Sequence, residues 1–400
     1  MSTLVSFADF PRMKLLPEYS LKQVINLMQK ARQAGEDIID FGMGNPDGAT
    51  PAHIVAKLHE EIENPRNHRY SVSKGIASLR EAICAWYARR YSVTLAPDSE
   101  AVVSIGAKEG LAHLMLAVLD QGQSVLVPSP SYPIHLFAPI IAGGRIVPVK
   151  LLPGEDFLAN LEAALRSEKK AGNAPPRFLM LSFPHNPTAE IVDLDFFRKV
   201  ITLARDYRLL VIHDLAYADL GFDGYQPPSI LQVPGAKEIA VEVFSLSKSY
   251  NMAGWRVGFV VGNPALVRAL EHIKGYLDYG LFQPLQIAAA TALNGPDDCV
   301  HEIAQVYYNR REVLCDSFAA AGWNIPRPKA TMFAWAPIPE SHRHMNALTF
   351  AKFLLERAKV TVSPGSGFGE YGEGFVRFAL IENEARIQEA AERVRAALRE

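Results

Sequence analysis

Lys248 follows a short β-rich run and is flanked by Ser245, Ser247 and Ser249. Three other strand-like runs end in groups that could work with it. The run 177–182 leads to Pro184-His185-Asn186-Pro187-Thr188, 209–213 leads to Asp214 and Tyr217, and 101–105 leads to Gly106-Ala107-Lys108-Glu109 at the start of a helix. In a parallel sheet, ligands bind outside the carboxyl ends of the strands. An amide, a carboxylate, a phenol, hydroxyls and an amine therefore converge on one edge. An amine can condense with an aldehyde and hold it covalently. A carboxylate can keep a ring nitrogen protonated, and neutral donors can hydrogen-bond a ring oxygen. Hydroxyls, a helix N-terminus and a cation suit a phosphate. Together these groups match the needs of a pyridine-ring aldehyde that carries a phosphate.

The elements that must position them are legible as periodicity. Strand-like runs occur at 101–105, 124–127, 177–182, 209–213, 239–244 and 257–261, with helical patterns between several of them, notably 108–119 and 193–207. This alternation predicts an α/β fold whose mainly parallel sheet is covered by helices on both faces. Thr50-Pro51 reads as a helix N-cap followed by proline at the first helical position. Beyond 285 the pattern changes to a long helix near 297–321, strands near 331–336 and 374–380, and a terminal helix near 383–399 with Glu384, Arg386, Glu389, Glu392, Arg393 and Arg395 on its exposed face. The expected division is a large domain over 51–284 and a smaller α+β unit from 285–400 together with segment 1–50. An N-terminal helix is expected to begin at Ser20, with Gln23 completing a capping box, and to stop at Gly35; its packing partner is open at this point.

Composition bounds the function. Four hundred residues exceed what one core usually organises. A net charge of −2 gives no electrostatic footprint for nucleic acid or an anionic membrane, and no apolar run reaches membrane-spanning length. Met1–Phe10 lacks the basic start and apolar core of a signal peptide. Cys84, Cys299 and Cys315 lack metal-ligand spacing and read as reduced thiols of a cytoplasmic protein. A small-molecule partner is the expectation.

The run Ser245-Leu246-Ser247-Lys248-Ser249-Tyr250-Asn251-Met252-Ala253-Gly254-Trp255-Arg256-Val257-Gly258 resembles the lysine motif of the class I/II aminotransferases, with arginine eight residues after the lysine. The resemblance extends over nearly the whole chain: Gly42-Met43-Gly44-Asn45-Pro46-Asp47, Arg69-Tyr70-Ser71, Gly75 with Leu79-Arg80, Ser129-Pro130-Ser131-Tyr132-Pro133, Asn186-Pro187-Thr188 and Arg377-Phe378-Ala379. The runs 213–219 and 377–383 are most similar to the alanine transaminase branch of that family.

The resemblance implies a fold-type-I enzyme that uses pyridoxal 5′-phosphate, and it assigns roles. Lys248 is implied to hold the cofactor as a Schiff base and, once displaced, to shuttle a proton. Asp214 is implied to pair with the ring nitrogen, and Asn186 and Tyr217 with the ring oxygen. Tyr132 would stack on the ring. Backbone donors at Ala107 and Lys108, with Ser245 and Arg256, would hold the phosphate. Tyr70 would reach the phosphate of a neighbouring subunit, making the enzyme a homodimer. Arg377 would grip the substrate α-carboxylate in a fork that lysine cannot reproduce, and Gly44 would let its backbone approach that carboxylate. Many relatives have glycine where this chain has Ala189, so the turn after Asn186 is expected to differ locally.

Plainer readings compete at each position. A lysine alone is usually a solvated surface charge, an aspartate after a strand is commonly a helix N-cap, and an arginine within a strand often pairs with a carboxylate. Tyr132 and Tyr70 could be ordinary packing. Convergence on one edge is what favours the functional reading. Gly367-Phe368-Gly369-Glu370-Tyr371-Gly372 satisfies a dinucleotide-binding pattern but precedes a strand-like run rather than a helix, so it reads as a glycine-rich loop. His342 and His344 have no third ligand in view and read as solvent-exposed, and no metal site is expected. The expected activity is ping-pong transamination between amino acids and 2-oxo acids, with L-alanine and 2-oxoglutarate giving pyruvate and L-glutamate. The alternatives are a transaminase for LL-diaminopimelate, aspartate or an aromatic amino acid, a β-lyase, and a non-catalytic sensor. The absence of a basic patch and the early position of Gly42 argue against the sensor.

Overall fold

The computed structural model describes residues 10–16 and 20–399. Residues 1–9, on which most of the signal-peptide reading rests, lie outside the described residues, as does the side chain of Ser20 in the expected capping box. A seven-stranded sheet organises the larger part. In spatial order it runs Ala101–Ser104, Gly258–Gly262, Ala240–Ser245, Leu210–Asp214, Phe178–Ser182, Ser124–Ser129 and Arg145–Lys150. Every pair from Ala240–Ser245 to the Arg145–Lys150 edge is parallel. Gly258–Gly262 alone runs antiparallel to both its neighbours. The α/β expectation of a mainly parallel sheet is met, with one reversed strand.

Why these runs form central strands is visible in their burial. Alternate residues of a strand face opposite sides of the sheet. Leu126, Leu179, Leu181 and Val211 enter the core on one face, whereas Val125, Val127, Phe178, Met180 and Ile212 enter the core on the other. Both faces are covered, so the strands read as continuous apolar runs rather than alternating ones. Each fully buried side chain of this kind contributes roughly 1.5–3 kcal/mol. Arg145–Lys150 escaped the sequence reading. It lies at the sheet edge and pairs only with Ser124–Ser129, a position that tolerates Pro148 and exposes Arg145 and Pro148.

Register brings the candidate residues to one rim. Asp214 pairs with Ser182 on one side and Val243 on the other, and Ser245 lies opposite Gly258.

A second, antiparallel sheet of three strands, Ser363–Pro364, Phe375–Ala379 and Phe333–Pro337, packs with helices Asp298–Ala320 and Glu384–Ala397 around Phe318, Trp323 and Phe378. Helix Gln283–Asn294 belongs elsewhere: it packs on helices Ala52–Ile62 and Ala77–Tyr91 in the core of the large sheet, ten residues past the expected boundary at 284. The N-terminal helix Ser20–Gln33 sides with the smaller unit. Val24 joins its core, Met28 packs with Leu355, and Ile39 pairs with Val360. Arg386 and Arg393, expected on a solvated face, instead reach the Asp37 carboxylate at 2.6 and 2.5 Å.

Smaller corrections have simple causes. Thr50 does not cap helix Ala52–Ile62; Pro51 occupies the cap position, and the Thr50 hydroxyl donates to Asn251 O at 2.9 Å. His342 is buried against Phe350 and Phe353 rather than exposed, while His344 is exposed. The three cysteines are free, and burial pushes the Cys84 and Cys315 thiols up to about 11. Among the described residues, no helix is long and apolar enough to cross a membrane.

Candidate active site

A cavity of about 580 Å³ opens at the rim where the parallel strands end. Gly44, Ala107, Lys108, Tyr132, Asn186, Asp214, Tyr217, Ser245, Lys248, Arg256 and Arg377 all line it. Of the expected site residues only Tyr70 does not.

Lys248 sits in the short helix Leu246–Ser249, capped by Ser245. Its Nζ donates to Gly44 O at 2.7 Å. Burial, reinforced by the nearby Arg377 and Arg256 guanidinium groups, brings its amine down from 10.5 to about 7. About half of such an amine is free base near neutral pH, which is the form that condensation with an aldehyde requires. Gly44 can have no side chain: a Cβ there would lie 2.5 Å from the Phe333 ring.

Asp214 ends its strand buried, with Oδ1 accepting from Ala216 N at 3.1 Å and Oδ2 2.9 Å from His135 Nε2. The other ring nitrogen, Nδ1, lies 3.0 Å from Ser131 Oγ. A carboxylate only accepts, so Nε2 carries a proton, and Nδ1 shares a hydrogen bond with the serine hydroxyl. The sequence reading missed both His135 and Ser131. Their signal was i,i+4 spacing across the start of helix Pro133–Ile141, inside and just beyond a motif quoted only as far as Pro133.

Asn186 links two functions. Its Nδ2 donates to the Tyr217 hydroxyl at 3.2 Å, and its Oδ1 accepts from Arg377 Nη1 at 2.7 Å. Burial raises the Tyr217 and Tyr132 phenols, keeping them neutral donors. The turn after Asn186 keeps a left-handed residue: Ala189 has φ 59° and its N–H donates to His185 O at 2.8 Å. The alanine therefore bears a left-handed strain of about 1–2 kcal/mol at this turn.

At the opposite end of the cavity, helix Ala107–Val118 begins without a side-chain cap, so its first N–H groups face the cavity. Gly106 has φ 76°, and a Cβ there would lie 2.2 Å from Arg256 Nη2. The arginine can approach the helix start only because position 106 is glycine. Arg256 also donates to Ala253 O at 2.9 Å, and Ser245 Oγ donates to Ser247 Oγ at 2.8 Å. Hydroxyls, a guanidinium and a helix N-terminus around a cradle that a single Cβ would fill could hold a phosphate. Ser247, one of the hydroxyls beside Lys248 that the resemblance left without a role, lines the cavity too. The Lys108 side chain points to solvent, leaving its backbone as the contribution.

Arg377 stands in strand Phe375–Ala379, with its guanidinium carbon 4.1 Å from the Phe333 ring centroid and 4.6 Å from that of Phe368. Its Nη2 donates to Gly42 O at 3.2 Å and to Ser363 Oγ at 3.4 Å. This planar, held fork faces the cavity from the side of the second sheet. Tyr70 is 86% exposed and packs on Tyr279, ring centroids 4.9 Å apart, in a shallow depression with His68 and Phe282. It does not line the cavity.

The buried Lys248 amine, the Asp214 carboxylate, the neutral phenols, the uncapped helix start and the Arg377 fork line one cavity, and together they could hold pyridoxal phosphate and an amino acid. The profile of the family described as aminotransferase class I and II matches residues 36–394, and the chain belongs to that family, whose members depend on pyridoxal phosphate. Over 98% of its length the chain is 55% identical to the glutamate-pyruvate aminotransferase AlaC of Escherichia coli, covering 94% of that protein. It is 43% identical to an LL-diaminopimelate aminotransferase of Desulforudis audaxviator, covering 98% of this chain and 99% of that one. Among solved structures, substrate-bound BacF from Bacillus subtilis superposes with a TM-score of 0.90 at 32% identity, with 98% of each chain covered. The protein is a fold-type-I aminotransferase that takes amino acids and 2-oxo acids.

Proposed function

We propose that the enzyme transfers the amino group of L-alanine to 2-oxoglutarate, giving pyruvate and L-glutamate by a ping-pong route. The observation that carries the choice of substrate is the 55% identity, over nearly the full length of both chains, to a glutamate-pyruvate aminotransferase. Pyridoxal phosphate, when bound, supplies the electron sink for the substrate Cα.

The chain's own groups divide the rest of the work. Lys248 would hold the cofactor through its amine, and that amine, when free, would move the proton at the substrate Cα. Asp214, oriented by His135, holds the proton on the ring nitrogen. Asn186 and Tyr217 hydrogen-bond the ring oxygen, and Tyr132 covers the ring face. The N–H groups of Ala107 and Lys108, with Ser245 and Arg256, hold the phosphate. Arg377 grips the α-carboxylate beside the backbone of Gly44. We further infer a homodimer in which Tyr70 serves the neighbouring site. Its exposure beside the exposed side chains of Tyr276, Tyr279 and Val72 supports a second copy of the chain as the cover for that surface.

The LL-diaminopimelate relatives favour one second reading, transamination of that diamino acid. A panel of amino donors tested with 2-oxoglutarate decides between them. Fastest pyruvate release from alanine supports the proposal; LL-diaminopimelate at a kcat/KM well above that of alanine replaces it.

A further inference from the structure

The segment 42–50 touches both halves of the site through its backbone. Gly44 O receives Lys248 Nζ at 2.7 Å, and Gly42 O receives Arg377 Nη2 at 3.2 Å. Those two carbonyls can orient the amine and the fork only if the strap that carries them is itself fixed.

It is fixed at three places. At its start, Gly42 N donates to Asp40 Oδ1 at 2.8 Å, and Ser363 Oγ donates to Gly42 O at 2.6 Å. At its end, Asn251 Nδ2 donates to Ala49 O at 3.4 Å, the Thr50 hydroxyl donates to Asn251 O at 2.9 Å, and Gly48 packs so closely that a Cβ would lie 2.4 Å from Asn251 Nδ2. Between them the tie is ionic. Arg310 forks onto Asp47, Nη1 to Oδ1 and Nη2 to Oδ2, both at 2.7 Å. The same Nη1 donates to Leu380 O at 3.0 Å, one residue beyond the strand that bears Arg377.

We propose that the Arg310–Asp47 pair is a positioning device for substrate: it pins the middle of the 42–50 strap to the end of the Arg377 strand and so sets the Gly42 and Gly44 carbonyls against Arg377 and Lys248. A bidentate guanidinium–carboxylate pair fixes direction as well as distance, which a single hydrogen bond does not. Arg310 is buried, whereas the Asp47 carboxylate is 45% exposed, so replacing Arg310 leaves a carboxylate that water can reach, while Asp47→Asn leaves the buried guanidinium a neutral amide and Leu380 O as partners. Neither residue lines the cavity. Their effect on the reaction passes through the strap.

This rests on the assignment of Arg377 to the substrate α-carboxylate, so the experiment carries Arg377→Lys as its own reference. Asp47→Asn, Arg310→Lys and the double variant are assayed as holoenzymes well below their melting temperatures. Asp47→Asn and Arg310→Lys are each expected to raise KM for the amino donor and the 2-oxo acceptor together by about tenfold, with kcat reduced less and the visible absorbance of bound cofactor unchanged. The double variant should be little worse than either single one, because both open the same tie. Unchanged KM values with a lowered melting temperature would make the pair structural only and overturn the proposal. Loss of cofactor with unchanged KM, or fully additive effects, would overturn it as well. If Arg377→Lys itself leaves KM unchanged, the clamp assignment fails first; if it raises KM while Asp47→Asn does not, only the role of the strap fails.

Discussion

His135 Nε2 lies 2.9 Å from Asp214 Oδ2, closing a buried chain that begins at the Ser131 hydroxyl. The carboxylate proposed to pair with the ring nitrogen is thus held by a group whose other nitrogen is also engaged. Replacing His135 by Phe keeps the ring and removes the donor. A hydrogen bond to a charged group contributes roughly 1.5–3 kcal/mol, so His135→Phe should lower kcat by about tenfold or more while the cofactor stays bound. Unchanged kcat at full cofactor occupancy would reduce His135 to core packing.

Asp214→Asn keeps the shape of the side chain and one acceptor but removes the charge that holds a proton on the ring nitrogen. The variant should bind pyridoxal phosphate and lose activity by roughly a hundredfold or more, since an unprotonated ring is a weaker electron sink. Turnover near that of the unmodified enzyme would take Asp214 out of this role.

Lys248 gives a prediction in pH. Only the neutral amine attacks an aldehyde, and burial brings this amine down to about 7. In cofactor-free protein, the rate of covalent capture of pyridoxal phosphate should rise through pH 7 and flatten above it. A rate that goes on rising toward 10.5 would show an ordinary lysine. The stability of the cofactor-free protein follows with a definite sign. Between about 7 and the reference value of 10.5 the unfolded chain binds more protons than the folded one, so stability should increase with pH across that window. Lys248→Ala should abolish both effects, together with turnover and borohydride labelling at this position.

Arg377→Lys preserves the positive charge and loses the fork. It should raise KM for donor and acceptor alike by about tenfold, with some loss of kcat as the substrate tilts away from its reactive orientation. The absorbance of bound cofactor should not change. Normal KM values combined with easier unfolding would mark Arg377 as a structural residue of the second sheet.

What the sequence made legible, and what it hid, follows from how each residue reaches the site. Asn186, Asp214 and Lys248 each follow the end of an apolar strand, and strand ends in a parallel sheet share a rim. His135 comes from inside a helix, where its neighbours Ile134 and Leu136 make it look like core. The tie between Asp47 and Arg310 spans 263 residues, a separation that no local period can signal. Arg145–Lys150 hid because an edge strand may alternate polar and apolar residues and may contain a proline. Tyr70 was singled out by motif alone, and it stands on an exposed surface outside the cavity.

The single reversed strand, Gly258–Gly262, decides how the lysine and the phosphate arginine can share so short a stretch of chain. The chain leaves the sheet at Ser245 and re-enters at Gly258, directly opposite. A parallel partner would have required a full traverse to the far rim before re-entry, and Arg256 would have emerged on the wrong side of the molecule. Instead Lys248 and Arg256, the proposed covalent anchor and anion grip, ride on one closed excursion, 246–257, whose two feet are locked together by the sheet. Adding or deleting one residue there would displace both at once. Of all the loops at this rim, this one should be the least tolerant of any change in length.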